Sequence, residues 1–354
     1  MNTLKITDIN RPLTERHDLE RAKITEVEIL GKKCKIYNPC NLNLVIDRKC
    51  NCDCFFCFFR GEAVRKRITD EEYRTKLDSV FRDLEGLPVE ITITGGEPTL
   101  CQERLIPVME MIKRYGFPNR TFSTNGTGLL RRIEGKPLLQ YMKENNCVYN
   151  VSLSRMSADD NENRKIFGGN TIGNKEIRQA AVFAEVNDMD IRLSCNLLKN
   201  GVGDWDGIKG YMAFYEALGI TSFLFREIVP KQKSISVSGS AVEGKRARFP
   251  VSAAENEGEA VPVSDIVAKM KKEQGIRLLK TAHGSVYDVD IYGYGQKLIK
   301  HYRGKTYTAE KGCERRVSVH GEERPQVSSK EYVGEERKLV TSLIYEEGGL
   351  RTAW

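Results

Sequence analysis

The stretch Cys50-Asn51-Cys52-Asp53-Cys54-Phe55-Phe56-Cys57 gathers four of the chain's ten cysteines into eight residues. Thiols at that density select zinc or an iron-sulfur cluster. Structural zinc takes four ligands, usually as two short-spaced pairs on separate loops. Here no second C-x2-C pair exists, and His17, His283, His301 and His320 are remote in sequence. Read as Cys50, Cys54 and Cys57, the spacing is C-x3-C-x2-C. Three such cysteines on one loop can hold three irons of a 4Fe-4S cube and leave the fourth iron without a protein ligand. Cys52 breaks the spacing and is the spare thiol. A zinc clip is the plain structural alternative.

Two further motifs follow at the ends of strand-like runs. In ITITGGEPTL, Gly95 and Gly96 permit positive φ or close backbone approach, and the Glu97 carboxylate can accept from an ammonium group. An ordinary glycine turn after a strand is the competing reading. The run NRTFSTN ends on Ser123-Thr124-Asn125-Gly126, VYNVSLS ends on Ser154, and DIRLSCNLL carries Asn196. Polar strand ends occur in any α/β protein, but ligands of parallel α/β sheets bind at that end.

With these motifs in this order, the chain resembles the radical S-adenosylmethionine (SAM) enzymes over about residues 40 to 230. The resemblance implies one 4Fe-4S cluster on Cys50, Cys54 and Cys57, with SAM chelated by its open iron and an external electron donor of the flavodoxin or ferredoxin type. It implies Phe56 beside the adenine. Gly95, Gly96, Glu97 and Pro98 would hold the amino group, and Ser123, Thr124 and Asn125 the ribose and methionyl part. Ser152 or Ser154 and Arg164 would grip the ribose and carboxylate, with Asn196 as a ribose contact. Within the family, the chain is most similar to the branch around the molybdenum-cofactor enzyme that cyclises GTP. It departs from that enzyme in having only Cys313 after residue 195, too few for a second cluster, and GTP cyclisation itself is thereby placed in doubt. The Glu346-to-Gly349 run resembles that enzyme's diglycine tail, but inside LIYEEGGLRTAW a hairpin turn explains it.

The elements that must position these residues are legible as alternation. Strand-like runs at 41–47, 89–94, 119–125, 148–154, 190–198 and 221–229 are separated by helix-like segments, the pattern of parallel strands with right-handed crossovers. Thr69 with Glu72 forms a capping box ahead of Leu77, Val80, Phe81 and Leu84 at helical spacing. A later helix opens at Asp204 or Asp206 and stops at Gly219. The expected fold is α/β, a partial (β/α)6 TIM-like barrel over 40–230, preceded by an extension over 1–39. A loop or lid over 231–263 and a small β-rich C-terminal appendage with one short helix over 264–354 follow.

At 354 residues, 40% hydrophobic and 30% charged, the chain can bury a sizeable core. The first residues hold no apolar run of signal-peptide or membrane-span length, so a cytoplasmic protein without a membrane partner is expected. That compartment is reducing, which reads Cys34, Cys40, Cys101, Cys147, Cys195 and Cys313 as inert buried thiols, with Cys101, Cys195 and Cys313 also weighed as hydrogen donors. The net charge of +7 suits an acidic small-molecule substrate. Basic residues are dispersed, which disfavours nucleic acid. Arg226, at the end of the sixth run, is a candidate substrate-anion contact, with a surface ion pair as its alternative. The expected activity is reductive cleavage of SAM to a 5′-deoxyadenosyl radical that abstracts hydrogen from a small polar metabolite of nucleotide, nucleoside or sugar type. The rivals are a radical SAM peptide-modifying enzyme, for which residues 1–39 offer no evident leader-binding domain, and a non-catalytic iron-sulfur or zinc protein.

Overall fold

The computed structural model describes residues 23–29, 32–57, 59, 66–117, 119–133, 135–144, 150–199, 201–228, 261, 263–282, 287–294, 297–304, 314–318, 322–326 and 339–352. Nearly all of the expected lid, Cys147, Cys313, His17, His283 and His320 lie outside them.

The chain forms two compact units. The first comprises Lys23–Asn196, Lys209–Leu224 and Arg337–Trp354. In chain order its elements are strands β1 (Lys23–Ile29) and β2 (Lys32–Val45), helix α1 (Asp70–Leu84), β3 (Val89–Thr94), α2 (Gln102–Tyr115) and β4 (Asn119–Thr124). A small hairpin of β5 (Arg132–Ile133) and β6 (Lys136–Pro137) follows, then α3 (Leu138–Glu144), β7 (Asn150–Ser154), α4 (Asp160–Phe167), α5 (Asn174–Val186) and β8 (Asp190–Leu197). Helix α6 (Trp205–Glu216) and strand β9 (Ser222–Glu227), of which Lys209–Glu216 and Ser222–Leu224 fall in this unit, complete the expected alternation.

The sheet runs β2-β3-β4-β7-β8-β9, with an intervening helix before each new strand. The pairings from β2 through β8 are parallel, and the sheet does not close on itself among the described residues. This is the partial-barrel order expected from the alternating runs. Local chemistry sets the boundaries. Thr69 Oγ1 accepts from the Glu72 amide at 3.1 Å and starts α1, whose Tyr73, Leu77, Val80, Phe81 and Leu84 are buried. Asp204 Oδ1 accepts from the Gly207 amide at 2.7 Å at the start of α6, and Gly219, at φ 95°, ends it.

Two expectations are corrected. The first strand begins at Lys32 rather than Asn41, and its early half pairs antiparallel with β1, so residues 23–29 and 32–39 belong to the sheet. The KLVTSLIYEEG segment is not in an appendage either. It forms β15 (Leu339–Glu346), which lies parallel to β2, and β16 (Gly349–Thr352) folds back on it. Strand β2 had an open edge, and an unpaired edge of buried sequence such as Cys40, Leu42 and Leu44 is satisfied by one more strand. The EEGG turn is the expected hairpin: Glu347 at φ 44° and Gly348 at φ 75° give the two consecutive left-handed residues of a type I′ turn.

The second unit includes Leu197–Ile208 and Phe225–Glu336. It contains helix α7 (Val263–Met270), an antiparallel sheet of β10 (Ile276–Ala282), β11 (Tyr287–Tyr294) and β12 (Lys297–Gly304), and a hairpin of β13 (Glu314–Ser318) and β14 (Glu322–Gln326). Trp205 anchors it internally: its indole N–H donates to Glu273 at 3.2 Å and its ring meets Tyr294 edge-on at 5.8 Å.

Candidate cluster and SAM site

Because β2, β3, β4, β7 and β8 are parallel neighbours, their carboxyl ends and the loops that follow stand side by side. Register carries this through Val45 opposite Thr94, Ile93 opposite Phe122, Thr124 opposite Leu153 and Ser154 opposite Ser194. The cysteine loop, Gly95-Gly96-Glu97-Pro98, Ser123-Thr124-Asn125, Ser152 with Ser154, and Asn196 all meet at this one end.

The two glycines act first on the cysteine loop. Gly96 N–H donates to the Asp47 carbonyl and Glu97 N–H to the Lys49 carbonyl, both at 2.8 Å. A Cβ on Gly95, whose φ is 148°, would run into the Asp47 carbonyl, and one on Gly96 into the carbonyls of Arg48 and Lys49. The second glycine-bearing loop thus lies flat against the three residues that lead into Cys50, a contact only glycine allows.

Glu97 is 0% exposed. Its Oε1 accepts from the Thr99 amide (3.1 Å), Thr99 Oγ1 (2.7 Å) and Thr124 Oγ1 (2.6 Å), and its Oε2 from the Asn125 amide (2.6 Å). Burial is the largest influence on its carboxyl and pushes its pKa up, against the donations from Thr124 and Thr99. Glu97 therefore joins the loop after β3 to the end of β4, and Pro98 opens the short 3-10 turn Pro98–Leu100 beneath it.

Asn125 faces the cysteines. Its Nδ2 donates to Asn51 Oδ1 at 2.9 Å and to Cys52 Sγ at 3.4 Å, and stands 4.0 Å from Cys50 Sγ. Cys50 is exposed, and Cys52, Cys54 and Cys57 are half-buried. The thiols of Cys50 and Cys52 hydrogen-bond each other, as do those of Cys52 and Cys54. The bond to Cys52, followed by burial, raises the Cys50 pKa. At Cys52 the bond from Cys50 lowers the pKa, but the bond from Cys54 and burial outweigh it and leave the thiol at about 12. Among the described residues, no three Cys, His, Asp or Glu side chains close around one point as a single metal ion requires. The donor set is all sulfur, on one loop, with an amide N–H aimed at it. That chemistry fits an iron-sulfur cluster, whose corners spread its ligands apart.

A third wall escaped the sequence reading. The Phe167-Gly168-Gly169-Asn170 segment after α4 holds the far side of the loop. Asp53 N–H donates to the Phe167 carbonyl at 2.9 Å, and Cys54 Sγ lies 3.6 Å from the same oxygen. Cys52 Sγ is 3.6 Å from the Asn170 carbonyl, which also accepts from Thr127 Oγ1 at 2.9 Å. A Cβ on Gly169 would collide with the Asn51 carbonyl. The paired glycines of KIFGG, next to a helix end, were the available signal. Phe56 packs edge-on against Phe167 at 5.8 Å.

The remaining expected contacts divide. Ser152 (4% exposed) and Ser154 lie on one face of β7. Asn196 is half-buried near the end of β8, its amide 3.0 Å from Met156 Sδ. Arg164 is exposed on α4, where Nη1 donates to Asn161 Oδ1 at 3.0 Å. The buried guanidinium of that region is that of Arg155, which reaches Tyr215 Oη at 2.8 Å, the Ile172 carbonyl at 2.8 Å and the Asp160 carboxylate. Arg226 is half-buried on β9, at a position belonging to the second unit. Cys195 is fully buried on the opposite face of β8 from Asn196, and burial raises its pKa. Cys101, at the N-cap of α2, lines a cavity of about 350 Å³ together with Asp47, Lys49 and Arg67, and burial raises its pKa to about 11. No helix among the described residues is long and apolar enough to cross a membrane.

No family model matches the chain. Among curated proteins it is 28% identical over 204 residues to the probable GTP 3′,8-cyclase of Pyrobaculum aerophilum, covering 57% of this chain and 62% of that protein. It is 28% identical over 132 residues to that of Thermoplasma volcanium, covering 37% of each. The chain thus spans less than two thirds of the length of these relatives. Among solved structures, Streptococcus suis SuiB bound to S-adenosylmethionine is similar at 19% identity and a TM-score of 0.41, covering 54% of this chain and 41% of that one. Native anSMEcpe with bound AdoMet is similar at 18% identity and a TM-score of 0.39, covering 52% and 50%.

Proposed function

We propose that this chain, which belongs to the radical SAM superfamily on the branch around the GTP 3′,8-cyclases, cleaves SAM reductively and draws a hydrogen atom from a small polar or phosphorylated metabolite. Cys50, Cys54 and Cys57 would hold a 4Fe-4S cluster. When bound together, cluster and SAM supply one-electron cleavage to methionine and a 5′-deoxyadenosyl radical.

The chain's own residues position and exclude. Asn125 donates toward the cysteine sulfurs, and N–H donors to cluster sulfur raise its potential. Gly95 and Gly96 expose backbone to a ligand while fixing the lead-in to Cys50. Phe56, Pro98, Ser123, Thr124, Ser152, Ser154, Arg164 and Asn196 complete the proposed SAM contacts, and Glu97 fixes the loop of Gly95, Gly96 and Pro98 to the end of β4. Arg226 would meet a substrate anion, and an external flavodoxin- or ferredoxin-type protein would deliver the electron.

One observation carries the reading. The loops that bear the three motifs are bound to one another at the carboxyl ends of adjacent parallel strands, through Gly96 to Asp47, Glu97 to Thr124 and Asn125, and Asn125 to the cysteines. The same sheet supports a polar substrate. Asn41, Asn43, Thr92, Ser152 and Ser194 alternate along its strands with the fully buried Leu42, Leu44, Ile91, Ile93, Val151 and Leu193, so one face is polar from β2 to β8.

The test is anaerobic. The chain is reconstituted with iron and sulfide, given SAM and a strong reductant, and assayed for 5′-deoxyadenosine beside a Cys50→Ala/Cys54→Ala/Cys57→Ala variant. Product from the parent alone supports the reading. A cluster-bearing parent that forms none defeats it and returns the loop to a sensor, electron carrier or metal clip.

A further inference from the structure

The turn joining β15 to β16 places two adjacent carboxylates, Glu346 and Glu347, against the segment that carries the cysteines. Glu346 is 1% exposed and takes a two-pronged salt bridge from Arg48: Nε donates to Oε1, and Nη2 to Oε2 at 3.0 Å. The Arg48 guanidinium also lies over the Phe59 ring, 4.9 Å from its centroid. Arg48 lies just before the cysteines and Phe59 just after them, so one guanidinium joins both ends of the loop to the end of β15.

Glu347 repeats the arrangement one step out. Its Oε1 accepts from Arg104 Nη1 at 2.8 Å and its Oε2 from the Ile68 amide at 3.0 Å. Arg104, itself 0% exposed, donates to the Ile46 and Ile68 carbonyls, each at 2.8 Å. Ile46 and Ile68 bracket the whole excursion from the end of β2 to the start of α1. Two phenol bonds reinforce the contact: Tyr345 Oη donates to the Tyr73 carbonyl at 2.8 Å, and Tyr73 Oη to the Val45 carbonyl at 2.9 Å.

We infer that the C-terminal hairpin is a clamp on the cysteine loop, with Glu346 and Glu347 as positioning residues that hold Arg48 and Arg104 so that the cysteines are pre-arranged to receive and keep a cluster. The inference rests on the cluster reading above for its consequence, but not for its geometry. Buried forked pairs fix direction as well as distance. Residues that orient metal ligands from behind typically change metal retention about 10- to 100-fold when altered.

The test uses the full-length chain, as parent, Glu346→Gln and Glu347→Gln. In the metal-free proteins, amide exchange of peptides covering 46–57 is compared with that of peptides in β4 and β7. In the reconstituted proteins, iron release to a chelator is timed. The clamp predicts exchange across 46–57 about tenfold faster or more in both variants, unchanged exchange in β4 and β7, and iron lost about 10- to 100-fold faster. Unchanged exchange across 46–57 overturns it, as does equal acceleration throughout the sheet, which would make the turn a general staple of the fold. If the loop loosens as predicted but the parent never takes up iron, the clamp stands and the cluster reading falls. Arg48→Lys keeps the charge but loses the fork, and should lose iron at a rate between parent and Glu346→Gln.

Discussion

Arg104 and Arg155 are both fully buried guanidiniums in the sheet-bearing unit, and both are satisfied, but by different kinds of partner. Arg155 draws its partners from nearby chain: Asp160, Thr171, Ile172, Asn174 and Tyr215, the last 60 residues away. They bind the end of β7 to α4, α5 and α6, elements that follow in order. Arg104 reaches Glu347 across 243 residues, as well as Asp70, Ile46 and Ile68. One arginine closes a local unit. The other ties the cysteine-bearing excursion to the last strand pair, so the proposed cofactor loop is completed only when that distant segment has docked.

Breaking the two arginines should have similar cost and different reach. Arg104→Met and Arg155→Met each strip a buried charge from its partners and should destabilise by about 3 to 5 kcal/mol in denaturant unfolding. Their coupling separates them. Combined with Glu347→Gln, Arg104→Met should be strongly non-additive, because the two share one bond, while Arg155→Met should add with Glu347→Gln to within about 0.5 kcal/mol. Equal coupling to Glu347 would erase the distinction.

Glu97 sharpens the comparison from inside the site. Glu97→Gln keeps an acceptor for Thr99 and Thr124 but turns an amide N–H toward the Asn125 N–H, and should cost about 1 to 3 kcal/mol. Its pH signature is specific. The folded pKa is raised above the ordinary 4.5 by burial, so the contribution of the protonated form is complete below 4.5 and is lost as pH rises through the folded value. The variant should lack that slope when unfolding is followed across the window. Asp78, on the outer surface of α1, has the opposite sign and the smallest effect. The Tyr115 hydroxyl, then Arg82, hold its pKa below 3.8, so its contribution is present above that value and fades as pH falls. Solvent screening keeps the loss in Asp78→Asn under about 1 kcal/mol.

What the sequence displayed and what it hid follow the same division between local and distant. The six alternating strand runs, the Thr69 cap, the Asp204 cap and the EEGG turn are short-range patterns, and each appears where its spacing placed it, except that the first strand starts earlier, at Lys32. The C-x3-C-x2-C spacing and the two glycines were equally local. The pairing of β15 with β2 was hidden, because a strand in parallel register with another some three hundred residues away leaves no periodicity to read. Arg48 and Glu346 were hidden for the same reason, since each looked like an ordinary charged residue near a turn. Arg155, the arginine of that stretch that is drawn inward, was not singled out, while Arg164 on α4 is exposed. Arg155 directly follows β7 and is enclosed by Asp160, Asn174 and Tyr215, whereas Arg164 occupies an exposed position on α4, a difference that motif order does not display.

The most direct measurement is the electron paramagnetic resonance spectrum of the reduced, reconstituted chain with and without SAM, taken together with its iron and sulfide content. The account predicts a full 4Fe-4S complement whose signal shifts when SAM is added, retained in Cys52→Ala and absent when any of Cys50, Cys54 or Cys57 is replaced by alanine. A cluster that loads but ignores SAM, or iron that survives loss of those three cysteines, would contradict it.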